Sequence, residues 1–333
     1  MYKIIFNPLT IKDNQSDELI SFVKENFSKI VDGSCGTLFN DGNVTGAYKV
    51  SVQDDTIIVL KKVNPFRIKD YSERMENLRS LRRFTSLPVE LLGDFKQDND
   101  IYGIWEYAAA TRTTTNQDLD EALLELMTAT VTCGWKQACQ ANTKLDSFFK
   151  KHLRDRFNID YIKENHPEVY KGQESILTKQ KELEKLFFSK TFKEEYDKLP
   201  HGFIHGDLKH DNLIVTKYGL KLIDFDESRI DARLCEMTRP IMAKSLNAEG
   251  MIQPKRLREE FIATKKLTEQ ILLPLEEKML ITMLLFQFLL ANSRYLFYLR
   301  TPEKVHNKEH YIRKLNNRLQ AMSALIDYFS VSV

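Results

Sequence analysis

The stretch His205-Gly206-Asp207-Leu208-Lys209-His210-Asp211-Asn212, followed by Leu222-Ile223-Asp224-Phe225, decides the fold of this chain. Two short apolar segments, 213–215 and 220–223, separate the polar residues, and we expect them to be strands joined by a turn at 216–219. Because a hairpin brings its two ends together, Asn212 and Asp224 are predicted to lie close to each other. Amide and carboxylate oxygens held in this way suit Mg²⁺, which binds few protein oxygens and keeps several water or phosphate ligands.

The spacing of these residues predicts phosphoryl transfer. Asp207 and Asn212 have the Asp-x-x-x-x-Asn spacing of a kinase catalytic loop, and Asp224-Phe225 supplies the second metal-binding element. The reaction needs positioned phosphates, metal ions and an acceptor for the proton of the incoming hydroxyl, which is the role expected of Asp207. Each of these residues alone is common in turns, whereas the combination in this order indicates a kinase.

The stretch 201–226 resembles the aminoglycoside phosphotransferase and choline kinase-like group of small-molecule kinases. His205-Gly206-Asp207 and Asp224-Phe225-Asp226 carry the resemblance, since protein kinases have arginine at the position of Gly206. Lys209 departs from the group, which more often has histidine there. A lysine at this position is similar to that of Ser/Thr protein kinases and implies a contact with the γ-phosphate; the alternative is a solvated lysine in a turn.

The resemblance implies an α+β, two-lobed protein kinase-like fold. Residues 1–107 would form a small nucleotide-binding lobe around an antiparallel sheet, and 108–333 a larger, mainly helical lobe that carries catalysis and acceptor binding. The sequence patterns agree with this division. Alternating or β-branched segments predict strands at 48–52, 56–61, 91–95 and 101–107, with helices at 17–30 and 71–84, a nucleotide-covering loop at 40–46 and a linker at 109–115.

Lys61, at the end of a predicted strand, is the residue that the resemblance places on the nucleotide phosphates. Lys62 takes this place if the strand register is shifted by one. Such a lysine is oriented by a carboxylate of the next helix. We expect Glu76 to be this partner, at the edge of an apolar stripe with a period near three, with Glu73 as the second choice.

The adenine-binding hinge is predicted at Glu106, Tyr107 and Ala108. The resemblance places it there because kinase-like folds bind adenine through backbone groups just after this strand. Backbone recognition leaves little trace in the side chains, so the prediction depends on the resemblance and on the position of the strand.

The rest of the chain predicts helices, at 118–139, 145–163, 173–196, 279–290 and 307–329. No long activation segment ending in Ala-Pro-Glu follows Asp224, which distinguishes the chain from Ser/Thr protein kinases. The resemblance implies an acidic residue after Asp224 that braces the catalytic loop, and both Glu236 and Asp231 are candidates.

Composition favours a globular enzyme of the cytoplasm. The chain has 333 residues, 42% apolar residues and a net charge of +2, which argues against a strong polyanion-binding role such as nucleic-acid binding. Its four cysteines lack metal-site spacing, and zinc would need a more compact set of ligands. The most apolar window, 279–290, is too short to cross a membrane, and the first residues lack the apolar length of a secretion signal.

We therefore predict transfer of the γ-phosphate of ATP, with GTP not excluded, to a hydroxyl of a small molecule, with Mg²⁺ on Asn212 and Asp224. An aminoglycoside, a sugar, choline or an amino alcohol are the acceptor types that the resemblance implies, and the motifs do not choose among them. The alternatives are an enzyme that phosphorylates a protein, a nucleotide-binding pseudokinase or scaffold, and a nucleotidyl transferase. The sequence gives no indication of the oligomeric state.

Overall fold

The computed structural model describes residues 15–31, 36–38, 47–51, 57–132, 159–299 and 308–329. The predicted loop at 40–46 lies outside these residues, as do most of the predicted helix at 145–163 and the end of that at 118–139. The described part of the chain forms two compact units, each made of two segments. The first unit is 1–118 with 210–228, and the second is 119–209 with 229–333.

A five-stranded antiparallel sheet forms the centre of the first unit. Its strands are β1 (Gly36–Leu38), β2 (Ala47–Ser51), β3 (Ile57–Lys62), β4 (Leu91–Gln97) and β5 (Asp100–Glu106), in the order β1-β2-β3-β5-β4. In the register of this sheet, Lys61 of β3 pairs with Ala47 on one side and Gly103 on the other. The predicted strands are confirmed, and this register fixes which lysine of β3 faces the site.

Helices of the first unit lie before β1 and after β3 in the chain. Helices α1 (Gln15–Glu25) and α2 (Phe27–Val31) replace the single helix predicted at 17–30. Val23 and Ile30 pack with Ile58, Leu60 and Ile104 in an apolar cluster, and all five residues are fully or almost fully buried. Helix α3 (Tyr71–Leu81) follows a 3₁₀ turn at Pro65–Asp70, and α4 (Asn116–Thr132) begins in this unit. Burial of this apolar surface stabilises the sheet by roughly 25 cal/mol per Å².

The catalytic hairpin also belongs to the first unit. Strands β7 (Leu213–Thr216) and β8 (Gly219–Leu222) pair from Leu213↔Leu222 to Thr216↔Gly219, as predicted. The Thr111 amide donates to the Val215 carbonyl at 2.8 Å, and the Thr114 hydroxyl donates to the Leu213 carbonyl at 2.8 Å. These bonds join 111–114, predicted to be a linker, to the hairpin. The compact units therefore do not coincide with the predicted lobes, 1–107 and 108–333, which stay a prediction.

The second unit is mainly helical. The remaining described helices lie here: α5 (Ile159–Asn165), α6 (Pro167–Tyr170), α7 (Glu174–Phe187), α8 (Lys190–Asp197), α9 (Cys235–Lys244), α10 (Pro254–Thr268), α11 (Pro274–Leu299) and α12 (Lys308–Phe329). Strand β6 (His201–Ile204) pairs with β9 (Arg229–Ala232) just before the catalytic loop. The α+β class with a helix-rich second part is confirmed.

Buried ion pairs hold α9, the helix that follows the hairpin. The Lys244 side chain is 2% exposed and contacts Asp120 at 2.7 Å and Glu260 at 3.1 Å. Just before α9, Arg233 donates two hydrogen bonds to the carboxylate of Glu276, at 2.8 and 2.6 Å. Because removal of one partner would leave a buried charge unpaired, these pairs keep α9 in a defined position.

The apolar window 279–290 lies within α11, where most of its side chains are buried. Across the described ranges, no helix has the length and apolar character needed to cross a membrane.

Candidate active site

The predicted site residues are divided between the two units. Asp207 and Lys209 belong to the second unit, whereas Lys61, Asn212 and Asp224 belong to the first. The chain passes from one unit to the other directly after Lys209 and returns after Ser228.

The catalytic loop begins with a turn that needs glycine. Gly206 has φ of 76°, a left-handed conformation that residues with a Cβ rarely adopt. Beside it, His205 is buried, and its Nδ1 accepts a hydrogen bond from the Asp207 amide at 3.2 Å. His205 therefore orients the loop.

Glu236 braces this loop. Its Oε2 accepts hydrogen bonds from the amide of His205 at 2.6 Å and, more weakly, from that of Gly206 at 3.4 Å. Burial raises the pKa of the Glu236 carboxyl, and the neighbouring His205 and these amides oppose the rise. Asp231, the other candidate, instead accepts from Arg229 at 2.6 Å and from the Tyr196 hydroxyl. Of the two candidates, Glu236 is thus the one that contacts the loop.

The Asp207 carboxylate is surrounded by cations of its own unit. Arg239 of α9 donates to Oδ1 through Nε at 2.9 Å and through a terminal nitrogen, and the Lys209 ammonium lies 3.0 Å from Oδ2. Burial works to raise the pKa of Asp207, but the charges and hydrogen bonds of Arg239 and Lys209 outweigh it, so the pKa is lowered. The carboxylate is therefore ionised at neutral pH, as a proton acceptor must be.

Asn212 and Asp224 lie at the same end of the hairpin. The Ile223 amide donates to the Asn212 carbonyl at 2.9 Å, which joins the residues before β7 and after β8. Asn212 is 5% exposed. Asp224 has φ of 64°, an uncommon value for a residue other than glycine and one that is concentrated at functional sites.

Lys61 forms ion pairs with two carboxylates of the Asp224-Phe225-Asp226 element. Its Nζ lies 2.6 Å from Asp224 Oδ1 and 3.0 Å from Asp226 Oδ2. Burial works to lower the pKa of Lys61, but the two carboxylates outweigh it and the pKa is raised. Lys62 instead pairs with Asp100 at 2.5 Å. The register of β3 therefore places Lys61, rather than Lys62, beside the Asp224-Phe225-Asp226 element.

The predicted partner of Lys61 needs a correction. Glu76 and the second choice, Glu73, are both exposed, and in the described part of the chain the carboxylates paired with Lys61 are those of Asp224 and Asp226. The physical reason is the direction in which α3 faces. Its buried side presents Arg74, which donates to the carbonyls of Phe225 at 3.3 Å and Asp226 at 2.8 Å.

Sequence reasoning missed Arg74 and Arg239, although each left a trace. Arg74 is flanked at helical spacing by Tyr71, Met75 and Leu78, all buried, so a charge stands within an apolar stripe. Arg239 is likewise a charge in the apolar run 234–243. A charged residue in a buried stripe needs a partner, and that requirement was the available signal.

The predicted hinge follows β5, whose last residue is Glu106. The Glu106 carboxylate accepts from the Glu90 amide at 3.1 Å and lies 3.6 Å from Lys221, so this side chain has a structural role. The Lys49 ammonium lies 4.6 Å from the centre of the Tyr107 ring. Binding of adenine at Glu106, Tyr107 and Ala108 stays a prediction.

The residues at the hairpin end fit a hard divalent cation. Two carboxylates of the Asp224-Phe225-Asp226 element converge on one cationic group, the Lys61 ammonium, and Asn212 lies at the same end of the hairpin. This oxygen donor set suits Mg²⁺. Within the residues that the structure describes, no group of three or more His, Cys, Asp or Glu residues could hold a metal ion.

Comparison with known proteins finds a similarity to phosphotransferases. Residues 135–269 match the model of the phosphotransferase enzyme family (APH). No curated protein matches the chain significantly. The matched stretch contains the catalytic loop, the hairpin and the Asp224-Phe225-Asp226 element, so the resemblance predicted from those motifs is confirmed.

Solved structures of small-molecule kinases share the fold. Choline kinase from Cryptosporidium parvum has a TM-score of 0.58 at 14% identity, with 95% of this chain and 98% of that chain covered. An amicoumacin kinase in complex with AMP-PNP, Ca²⁺ and Ami has a TM-score of 0.59 at 14% identity, with 92% and 96% covered. The GDP complex of aminoglycoside 2'-phosphotransferase-IIIa has a TM-score of 0.55 at 12% identity, with 91% and 98% covered. The protein kinase-like fold is confirmed, and residues 135–269 are similar to the phosphotransferase enzyme family.

Proposed function

We propose that this protein transfers the γ-phosphate of ATP to a hydroxyl group of a small molecule. The observation that carries the proposal is that the stretch matched by the phosphotransferase family model contains the whole motif from His205 to Asp226. In the reaction, the hydroxyl oxygen forms a bond to the γ-phosphorus, and the bond to the β,γ-bridging oxygen breaks. ADP leaves with the electron pair of that bond, and the hydroxyl proton passes to Asp207.

The roles of the residues follow from their charges and contacts. Asp207 is ionised and held by His205, so it orients the hydroxyl and accepts its proton. Lys209, whose ammonium lies beside that carboxylate, stabilises the γ-phosphate during transfer. Lys61 binds the other nucleotide phosphates. Fixed cations of this kind stabilise the charge of the transferring group, which is the largest contribution to rate in such sites.

Asn212 and Asp224 would hold Mg²⁺, and Asp226 adds a carboxylate beside Lys61. The metal ion neutralises phosphate charge when it is bound. The adenine would bind backbone groups of Glu106, Tyr107 and Ala108 at the end of β5. GTP remains an alternative nucleotide, since backbone recognition does not by itself distinguish the two purines.

The experiment that tests the proposal measures ADP release with Mg²⁺ against a panel of hydroxylated acids, sugars, sugar phosphates, amino alcohols and aminoglycosides. Wild type and Asp207→Asn are compared, and ATP affinity is measured for both. We expect one acceptor class to stimulate ADP release and the variant to lose about 10²–10⁴-fold in rate, which is the usual contribution of general-base catalysis. Its ATP affinity should change little.

The other outcomes separate the alternatives. Tight ATP binding without turnover on any small acceptor would replace this proposal with a protein substrate or a pseudokinase role. Absence of ATP binding would rule out a kinase function. Retention of full acceptor-dependent activity in Asp207→Asn would show that Asp207 is not the base.

A further inference from the structure

The two oxygens of the Asp207 carboxylate contact different kinds of cation. Oδ1 accepts hydrogen bonds from Nε and from a terminal nitrogen of Arg239, and Oδ2 lies 3.0 Å from the Lys209 ammonium. A guanidinium is planar and holds its donors in a fixed arrangement, whereas an ammonium is a point charge at the end of a flexible chain. Oδ1 is therefore held more rigidly than Oδ2.

Helix α9 presents both of its loop contacts on one face. Glu236 and Arg239 are three residues apart, which places them on the same side of the helix. Glu236 accepts hydrogen bonds from the amides of His205 and Gly206, and Arg239 donates to the side chain of Asp207. One helix thus fixes the backbone of the catalytic loop and one oxygen of its carboxylate.

The two cations differ in how firmly their own backbone is held. Lys244, in the last turn of α9, is 2% exposed and contacts Asp120 and Glu260, so α9 is anchored by buried charges. Lys209 lies in the catalytic loop, outside any helix or strand. Of the two cations beside the base, Lys209 is therefore the one that can exchange its carboxylate contact for a phosphate oxygen.

We propose that Oδ2 is the oxygen of Asp207 that accepts the hydroxyl proton, and that Arg239 is a positioning residue that reserves this oxygen by holding Oδ1. This inference rests on the proposed function and deepens it. The acceptor hydroxyl takes the place of the Lys209 ammonium at Oδ2, and Lys209 moves to the transferring phosphoryl group. The hydroxyl oxygen then bonds to the γ-phosphorus, its proton passes to Oδ2, and ADP leaves with the electron pair of the broken bond.

The two cations then contribute to the rate in different ways. Arg239 stays on Oδ1 and acts only through Asp207. Without it, the carboxylate rotates about its Cβ–Cγ bond and Oδ2 no longer faces the hydroxyl, and a misplacement of about 1 Å in a reacting group can cost about 10²-fold in rate. Losses from two residues that act as a unit do not multiply, whereas losses from independent residues do.

A double-mutant cycle tests the inference. The rate of ADP release from ATP with Mg²⁺ is measured with water as the acceptor and with the panel of acceptors, for Arg239→Gln and Arg239→Lys, each alone and combined with Asp207→Ala. We expect Arg239→Gln to lower kcat by about 10–10²-fold while KM for ATP stays within about twofold, and Arg239→Lys to restore part of kcat. In the Asp207→Ala background, Arg239→Gln should change kcat by less than about twofold, because no carboxylate is left to position.

Lys209→Met and Arg256→Gln are the matched controls. Lys209 contacts the other oxygen of the same carboxylate, and we expect its replacement to lower kcat by the same factor with and without Asp207→Ala, because it acts on the phosphate. Arg256 is an exposed arginine of α10, 3.9 Å from Glu260, and its replacement should leave kcat unchanged. Urea unfolding is measured for every variant, and Arg239→Lys, which keeps the charge, replaces Arg239→Gln in the cycle if the latter does not fold.

Three results would overturn the inference. An unchanged or increased kcat in Arg239→Gln would show that Arg239 does not position the base. Losses from Arg239→Gln and Asp207→Ala that multiply would place Arg239 on the phosphate, independently of Asp207. A loss from Lys209→Met that disappears in the Asp207→Ala background would mean that Lys209 stays on Oδ2 during transfer. In these three cases the proposed function stands, whereas absence of ADP release by the wild type with water and with every acceptor would remove it together with the inference.

Discussion

Two adjacent lysines of β3, Lys61 and Lys62, contact different carboxylates. Side chains alternate between the two faces of a strand, so Lys61 and Lys62 face opposite ways. Lys61 contacts Asp224 and Asp226, and Lys62 contacts Asp100 of β5. The two lysines have the same charge and adjacent positions, which makes Lys62 a matched control for Lys61.

We therefore expect Lys61→Met to weaken binding of ATP with Mg²⁺ by at least about tenfold, the cost of losing a charge-assisted hydrogen bond. Lys62→Met should stay within about twofold of wild type, because its partner does not belong to the site. Isothermal titration calorimetry of both variants measures the difference. Equal losses in the two variants would mean that β3 contributes only its overall charge to nucleotide binding.

At the level of the elements, Arg74 attaches α3 to the Asp224-Phe225-Asp226 element. The Arg74 side chain is buried and donates to the backbone carbonyls of Phe225 and Asp226. Trp105 of β5 stacks on Phe225 with 6.4 Å between ring centres. Contacts from α3 and from the sheet thus hold Phe225 and the backbone of Asp226, which follow Asp224 in the chain.

Replacement of this arginine should cost stability. Arg74→Met removes the guanidinium from the Asp226 carbonyl, whereas the Phe225 carbonyl keeps the amide and hydroxyl of Ser228 as donors. We expect a loss of about 2–3 kcal/mol in the free energy of unfolding. Arg79→Met, on the exposed side of the same helix, should cost less than about 0.5 kcal/mol. Urea unfolding of the two variants gives both values. A loss below about 1 kcal/mol in Arg74→Met would show that water replaces the guanidinium there.

Helix α7 carries a carboxyl group that makes stability depend on pH. Burial raises the pKa of Glu184 from 4.5 to about 7. Its Oε1 is buried and has no hydrogen-bond partner among the described residues. Because the folded state holds this proton more tightly than the unfolded state, the free energy of unfolding falls as the pH rises from about 4.5 to about 7.

We expect Glu184→Gln to remove this fall and to be more stable than wild type at pH 8 by on the order of 2 kcal/mol. At pH 4 the two proteins should differ little, since the carboxyl is then neutral in both states. Urea unfolding at pH 4 and pH 8 measures the effect. Glu182→Gln, an exposed neighbour on α7, is the control, and a similar gain in that variant would exclude burial as the cause.

At the scale of the whole molecule, the chain order and the compact units do not coincide. The hairpin of β7 and β8 lies between the two segments of the second unit in sequence, yet it is bonded to 111–114 and to Pro88 in the first unit. The residues proposed to hold the metal ion therefore share a unit with Lys61. Ligand binding in this unit should raise the stability of the folded protein by mass action.

ATP with Mg²⁺ at about 100 times its dissociation constant should stabilise the protein by about 2.7 kcal/mol, visible as a rise of a few degrees in the melting temperature. Removal of the metal ion with EDTA should reduce this rise, and Asp224→Ala should make the rise independent of Mg²⁺. Differential scanning fluorimetry with and without EDTA gives the comparison. A rise that is equal with and without metal would contradict a metal role for Asp224.

The sequence by itself determined the class of the fold, the strands and helices that surround the site, and the order Asp207, Asn212, Asp224. These depend on local signals: strand alternation, helical period and a motif whose members are close in sequence. The sequence patterns did not fix the register of β3, and a shift by one residue turns each side chain to the other face of the sheet. It left Lys61 and Lys62 as alternatives.

Only the tertiary structure decided which charged side chains contact each other. Lys61 pairs with Asp224 and Asp226 and not with the predicted Glu76. Glu236, rather than Asp231, contacts the catalytic loop. Arg239 forms an ion pair with Asp207. Each of these contacts joins residues distant in sequence, so no periodicity or spacing encodes it. Long-range pairs are set by the packing of whole elements against one another. For this reason the proposed reaction could be predicted from a short motif, whereas these long-range contacts could not.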